Sequence, residues 1–334
     1  MARKTINQLT ELTEVNGSDK LAIYDNSTNT TKKTSVDNLF KLLEIIGFSS
    51  HNVSRNEPKD ITSYFTDGTI WKRLNGTDGF TLFEDIYIGD YWQMSRAISA
   101  PNQDSQYEET GTQWCTIAGF DTLMGNGDSY PEGDNDALNP VSGKHHMVII
   151  PGKGFTTEKN HFGKKRMNGE STTVGGYVNS GMHTATLGSA VSSGSTATGA
   201  TINQQLYAEF GTHLKTTREL LSSAINSSGY NRLGSNSGCS SNWAWTNSQA
   251  VLMSEVEVYG SIVWSSSGYD TGTAKNQLPI FRNTCVINNK SAVYWLKDIA
   301  SSGYFCIVAN GGHADTYRAN NTNVAVRPRF VLGA

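Results

Sequence analysis

The chain has 334 residues, of which 37% are hydrophobic, 10% aromatic and 17% charged, with a formal net charge of -3 at pH 7. That length gives a prior of about two domains with ample core, and the lack of any basic block excludes nucleic acid as a partner, because neutralising phosphates takes clustered Lys and Arg. No apolar run approaches the roughly 20 residues needed to cross a bilayer, so no membrane insertion is expected. With so few charges, the polar surface has to be made of Ser, Thr, Asn and Gly, which suits an extracellular β-rich protein.

The opening Met-Ala-Arg-Lys-Thr-Ile-Asn lacks the apolar core of a signal peptide, which implies synthesis in a cytoplasm without the ordinary export route. Residues 1–48 read as a separate module. Leu21 and Ile23 alternate within Lys20–Asp25, the turn-rich Asn26-Ser27-Thr28-Asn29 follows, and Thr30–Thr34 offers a polar return strand, so a small hairpin is predicted. A helix follows, with Ser35 as N-cap, Val36, Leu39, Phe40, Leu43 and Ile46 at helical spacing, and Gly47 as its stop. Leu42 and Ile45 widen its apolar circumference beyond what one small hairpin can cover, which predicts packing against copies of itself or another structural protein; burial against the rest of the same chain is the alternative. Residues 49–60 are polar and aperiodic and read as a linker. Residues 61–92 give short β-like pieces between glycine turns, ending in Asp85–Trp92.

A long loop is expected over about 101–142, and within it Asp128, Glu132, Asp134 and Asp136 crowd together. Closely spaced carboxylates can surround calcium, but no glutamate closes the loop, so it reads as solvated. His145 and His146 are adjacent in an apparent strand and point to opposite faces, so one is expected in the core and one exposed. Two S/T-x-x-E/Q capping boxes, Thr201–Gln204 and Thr216–Glu219, each precede apolar residues and predict two helices backing a sheet, with a Ser/Thr/Gly-rich surface loop at 191–199 before the first. Cys115, Cys239, Cys285 and Cys306 are scattered with no C-x-x-C pair and read as free thiols rather than redox or zinc groups. No G-x-S-x-G elbow, H-E-x-x-H or phosphate loop is present, so no catalytic constellation, metal or cofactor is predicted.

The last stretch carries the most information. Tyr304–Val308 has the content of a buried strand, Gly311-Gly312 supplies a tight reversal, and Val324, Val326, Phe330 and Leu332 alternate as a closing strand with one apolar face. Between these supports Asn310, His313, Asp315, Thr316, Tyr317, Asn320, Asn321 and Asn323 have no periodicity that would bury them and are predicted to be displayed. Tyr294 and Asp298 precede the same sheet and are predicted to join the display, while Trp295, Leu296, Phe305, Val308 and Phe330 hold the scaffold.

The succession Tyr294-Trp295-Leu296-Lys297, Ser301-Ser302, Tyr304-Phe305, Gly311-Gly312 and Val326-Arg327-Pro328-Arg329-Phe330 resembles the C-terminal domain of phage receptor-binding proteins. Trp114–Asp121, His145–Pro151, Gly175-Gly176-Tyr177 and the block from Leu252 to Trp264 extend the resemblance over roughly residues 60–334, and Leu9–Leu43 resembles N-terminal modules of phage fibres. Such domains have a C-type-lectin-like fold and are often diversified by retroelements, as in the phage major tropism determinant. The Glu-Pro-Asn or Gln-Pro-Asp triplet of sugar-binding C-type lectins is missing here.

The resemblance implies an α+β, C-type-lectin-like domain at 61–334 behind an attachment module at 1–48. It further implies a virion protein that binds a bacterial surface receptor, glycan or protein, and meets other virion proteins through its N-terminal module. A paratope-like mix supports binding: Tyr and Trp give rigid contact area, and Asn, Ser, Thr and Asp give adaptable hydrogen bonds. The alternatives are a structural decoration or collar protein, a bacterial adhesin, a lectin-fold enzyme of the formylglycine-generating type using Cys285 and Cys306, and a polysaccharide depolymerase.

The wide apolar circumference of Val36–Ile46 predicts a homotrimer, since closed symmetric assembly is the usual way to bury such a face. Light scattering should give three times the chain mass for the intact protein and one for a chain starting near Asp60; a monomeric intact chain would end the idea.

Overall fold

The computed structural model describes residues 20–25, 30–35, 54, 57–104, 111–123, 145–156, 160–226, 240–265, 276–283 and 292–334. The chain divides into two compact units, residues 1–50 and 51–334. In the first, β1 (Lys20–Asp25) pairs antiparallel with β2 (Thr30–Ser35), with Leu21 opposite Thr34 and Ile23 opposite Lys32, so the expected hairpin is present. The helix expected over Val36–Ile46, the acidic residues 127–136, Cys239 and Cys285 lie outside the described residues.

The second unit is mixed α and β with strands predominating and a curled antiparallel sheet. Ser54 bridges to Ile88 and Asp60 to Tyr91, so part of the stretch expected as a linker belongs to this unit. Most of residues 61–92 are not β-like pieces: α1 (Thr62–Thr66) and α2 (Thr69–Asn75) occupy the first half, and β structure enters only with the Ile88 bridge and from Tyr91. Ile70 and Leu74 stand four apart and are both buried, a helical spacing that the glycines obscured in the sequence. Gly68 and Gly76, with φ of 75 and 62°, flank α2 rather than turning a hairpin.

Six strands form the main sheet. Its path runs β3 (Tyr91–Ile98), β4 (Thr112–Phe120), β5 (His146–Pro151), β13 (Pro328–Gly333) and β6 (Leu214–Lys215), with β9 (Val251–Leu252) also on β13. Part of the loop expected over 101–142 is therefore strand β4. β5 and β13 are buried along their whole length, so the closing strand has no wet face. It also begins only at Pro328, and Val324 and Val326 lie before it, although both are buried. Edge strand β3 is covered by its surroundings: Tyr91 N–H donates to the Lys59 carbonyl (3.0 Å), Gln93 N–H to Thr62 Oγ1 (2.9 Å) and Ser95 N–H to Glu209 Oε1 (2.6 Å). Such blocking removes a template for strand addition by another chain.

Helix α3 (Ile202–Phe210) starts at the expected box: Gln204 N–H donates to Thr201 Oγ1 (3.3 Å) and Thr201 N–H to Gln204 Oε1 (2.9 Å). The second expected helix is instead strand β7 (Thr217–Ile225), paired with β8 (Ser240–Ser248) in a two-stranded ribbon. Thr217, Glu219 and Leu221 are buried at strand period, and the glutamate faces the interior instead of capping a helix. The loop at 191–199 is largely exposed, as expected, and is pinned at Val191 by paired hydrogen bonds with Gln249. Gly176, with φ of 68°, lets another loop lie flat on β7; a Cβ there would come within 2.3 Å of the Ser222 carbonyl oxygen.

A third sheet has the order β10 (Tyr294–Ser301), β11 (Tyr304–Val308), β12 (Ala314–Arg318). Beside it lies α4 (Glu255–Tyr259), opened by a capping box the sequence reading passed over: Ser254 N–H donates to Glu257 Oε2 (2.7 Å) and Glu257 N–H to Ser254 Oγ (3.1 Å).

Four buried ionic side chains meet between these elements. Arg329 of β13 donates through Nη2 to both oxygens of Glu219 in β7 (3.0 Å each) and through Nε to Glu257 of α4. Lys297 of β10 brings its Nζ to 3.9 Å from Glu219 and 3.7 Å from Glu257, so two cations face two carboxylates. Burial alone would push the Glu219 carboxyl up; Arg329 and Lys297, together with the Thr217 hydroxyl donating at 2.7 Å, hold it down at about 2. Elsewhere His146 is fully buried and His145 half-buried, each beside Asp121. Burial lowers the His146 imidazole to about 4, outweighing the attraction of Asp121.

Arg329→Met leaves two buried carboxylates facing one lysine and should destabilise the protein by about 3–5 kcal/mol at pH 7. Because the folded Glu219 carboxyl lies below its unfolded value, its contribution is present above about pH 4.5 and is lost as pH falls toward 2. Denaturant titrations should therefore show the gap between wild type and variant narrowing at pH 3. An equal gap at both pH values would refute the assignment.

Candidate functional site

β10 carries apolar and polar side chains alike into the interior, and β11 packs against it with Tyr294 opposite Val308 and Trp295 opposite Ile307. Trp295, Leu296, Phe305, Val308 and Phe330 are all fully buried, as their scaffold role required. The Trp295 indole N–H also donates to the Lys165 carbonyl (2.8 Å). On this support the chain reverses through Ala309–His313: Gly312 N–H donates to the Ala309 carbonyl (2.8 Å) and Ala309 N–H to the His313 carbonyl (2.9 Å). Gly312 has a φ of 81°, a conformation that favours glycine.

The displayed segment is thus not all loop. Ala314–Arg318 forms strand β12, in register with β11 so that Phe305 stands opposite Tyr317 and Tyr304 opposite Arg318. Asn310, His313, Tyr317, Asn320 and Asn323 are exposed, with Tyr317 36% so, and Asp315, Thr316 and Asn321 are half-buried. The structure brings these eight residues onto one continuous stretch of the same sheet and the loop that leaves it.

Tyr294 and Asp298 do not join them. Both are buried, because β10 is covered on each side by β11 and by residues distant in sequence. Burial pushes the Tyr294 phenol up, while the Arg327 guanidinium, 4.9 Å from its ring centroid, works the other way. Asp298 accepts the Glu255 N–H at the start of α4, an internal structural bond. These two are corrections to the sequence-based site.

Arg318, expected in the displayed segment, is exposed and donates through Nε to the Tyr304 hydroxyl (3.0 Å), which adds to the surface a half-buried tyrosine that was expected in the buried strand. Only the presence of β12 makes this pair, and the polar run Ala314–Arg318 gave no strand signal.

Part of the outer edge of β12 is satisfied by the chain itself. The Ala314 carbonyl accepts the Trp264 indole N–H (2.9 Å), Thr316 N–H donates to Asp315 Oδ1 (2.8 Å), and the Arg318 carbonyl accepts the Asn321 N–H (2.9 Å). A partner would have to displace these bonds to add a strand, so what the surface offers is side chains.

Among the described residues no group of three or more His, Cys, Asp and Glu is placed to hold a metal, and no helix is long and apolar enough to cross a membrane. Cys115 and Cys306 are buried and in no disulfide; burial pushes the Cys115 thiol well up, away from the thiolate that nucleophilic chemistry needs. Compared with known proteins, the chain matches no family model, no curated protein and no solved structure.

Proposed function

We propose that the protein is a virion receptor-binding protein that attaches to a bacterial surface ligand through the Asn310–Asn323 surface. In this reading the domain has a C-type-lectin-like fold, works without metal or cofactor chemistry, is not an enzyme, and is held on the virion as a homotrimer through residues 1–48. One observation supports it above the others. A row of aromatic, amide, hydroxyl and acidic side chains stands exposed or half-buried on β12 and the loop beyond it, backed by the buried residues Phe305–Val308 of β11, and part of the backbone edge beside it is already occupied. Rigid support with adaptable polar side chains and an aromatic anchor is the composition of a recognition surface.

Changing Asp315, Tyr317 and Asn320 together to Ala should weaken attachment to host cells at least about tenfold, the scale of losing one anchor side chain. The melting transition should move little, since substitutions at exposed residues such as Tyr317 and Asn320 usually change stability by within about 0.5 kcal/mol and the half-buried Asp315 gives up a local bond from the Thr316 N–H. Trp295→Ala should do the reverse by opening a core cavity, at a cost of roughly 3–5 kcal/mol. Full attachment by the triple variant would remove this surface from recognition and favour the alternative, a decoration protein whose terminal domain meets other virion proteins.

A further inference from the structure

Helix α4 and the chain just beyond it, residues 255–265, touch the displayed hairpin in an unusual way. The Tyr259 hydroxyl donates to the Gly312 carbonyl (3.1 Å) and the Trp264 indole N–H to the Ala314 carbonyl (2.9 Å). Both acceptors are main-chain oxygens, two residues apart, one in the turn and one at the start of β12. The donors are held from behind. The fully buried Glu255 carboxylate accepts the N–H groups of Val263 (3.1 Å), Trp264 (2.9 Å) and Ser265 (3.0 Å) and the Ser265 hydroxyl (2.7 Å). Its own N–H is fixed by Asp298 of β10. Burial pushes the Tyr259 phenol far up, which keeps it a donor at neutral pH.

We infer that Tyr259 and Trp264 are positioning residues that fix the shape of the recognition hairpin, with Glu255 fixing Trp264. This rests on the receptor-binding reading above for its functional meaning. Two aromatic donors set the height and tilt of the turn by gripping its carbonyls. The grip uses no side chain of the display stretch, so His313, Asp315, Thr316 and Tyr317 stay available to a ligand. Preorganising a binding loop in this way removes an ordering cost that the ligand would otherwise have to offset. Neither Tyr259 nor Trp264 is part of the contact surface in this account; each acts through the hairpin.

Tyr259→Phe and Trp264→Phe, made in the full chain singly and together, keep a ring and remove one donor each. Two readouts separate positioning from stability. Nicking by trypsin at the exposed Arg318, at the end of β12, reports local opening of the hairpin. Attachment to host cells reports function. The double variant should be nicked at Arg318 at least about fivefold faster and should attach at least about fivefold more weakly, because two hydrogen bonds to the hairpin are lost. Its melting temperature should stay within a few degrees of wild type, with the phenylalanines holding the packing. Unchanged nicking overturns the inference whatever attachment does. Unchanged attachment, in an assay where Tyr317→Ala is weakened, overturns it as well. Faster nicking when neither the double variant nor Tyr317→Ala loses attachment supports the clamp and removes the receptor-binding reading instead.

Discussion

The four-charge junction of Arg329, Glu219, Glu257 and Lys297 is the constraint on which the rest of the larger unit depends. Each residue comes from a different element: β13 of the main sheet, β7 of the ribbon, α4, and β10 of the three-stranded sheet. Desolvating four charges is costly, and the attraction between them offsets that cost only if their geometry is held. The junction is consequently intolerant of a slipped register or a shifted helix, since either would strand a buried charge. Charge balance also makes the junction indivisible: removing any one member leaves an odd charge in a dry interior.

From this junction a short path leads to the surface. Glu257 both binds Arg329 and closes the capping box of α4, so the ion cluster and the helix start fix one another. Lys297 and Asp298 are neighbours in β10, one serving the cluster and the other accepting the first N–H of α4. Glu255 then gathers the chain beyond the helix, and Trp264 and Tyr259 reach the hairpin. A surface with little apolar support of its own thus inherits its rigidity from the core. The blocked edge of β3 and the partly blocked edge of β12 follow the same economy, with side chains and loops covering backbone groups that would otherwise invite another strand.

Much of this was legible in the sequence where local patterns decide the outcome. The Lys20–Ser35 hairpin, the Thr201 box of α3, the strand Tyr304–Val308 with its buried residues Phe305–Val308, and the exposure of Asn310, His313, Tyr317, Asn320 and Asn323 depend on nearby residues. Several of the errors share one physical source, burial satisfied from far along the chain. Thr216–Glu219 has the same form as Thr201–Gln204, but Glu219 is matched by Arg329, 110 residues away, and that partner selects a strand. Tyr294 and Asp298 look like surface polar residues until Arg327 and the Glu255 N–H are placed beside them. Arg329 itself reads as a surface arginine in a closing strand, yet it is fully buried. The short Ser254 box was passed over because the helix it opens is only five residues long.

Native-state amide hydrogen exchange on the intact chain tests the central claim most directly, because it resolves which segments open together. If the charge junction locks the unit, amides flanking it should exchange only through one shared opening at the global unfolding free energy. These are Lys297 in β10, Glu219 in β7, Val258 in α4 and Val331 in β13. Exchange of β7 or α4 at a free energy several kcal/mol below that of β5 and β13 would contradict the account, since the ribbon and helix could then leave the core with the junction broken.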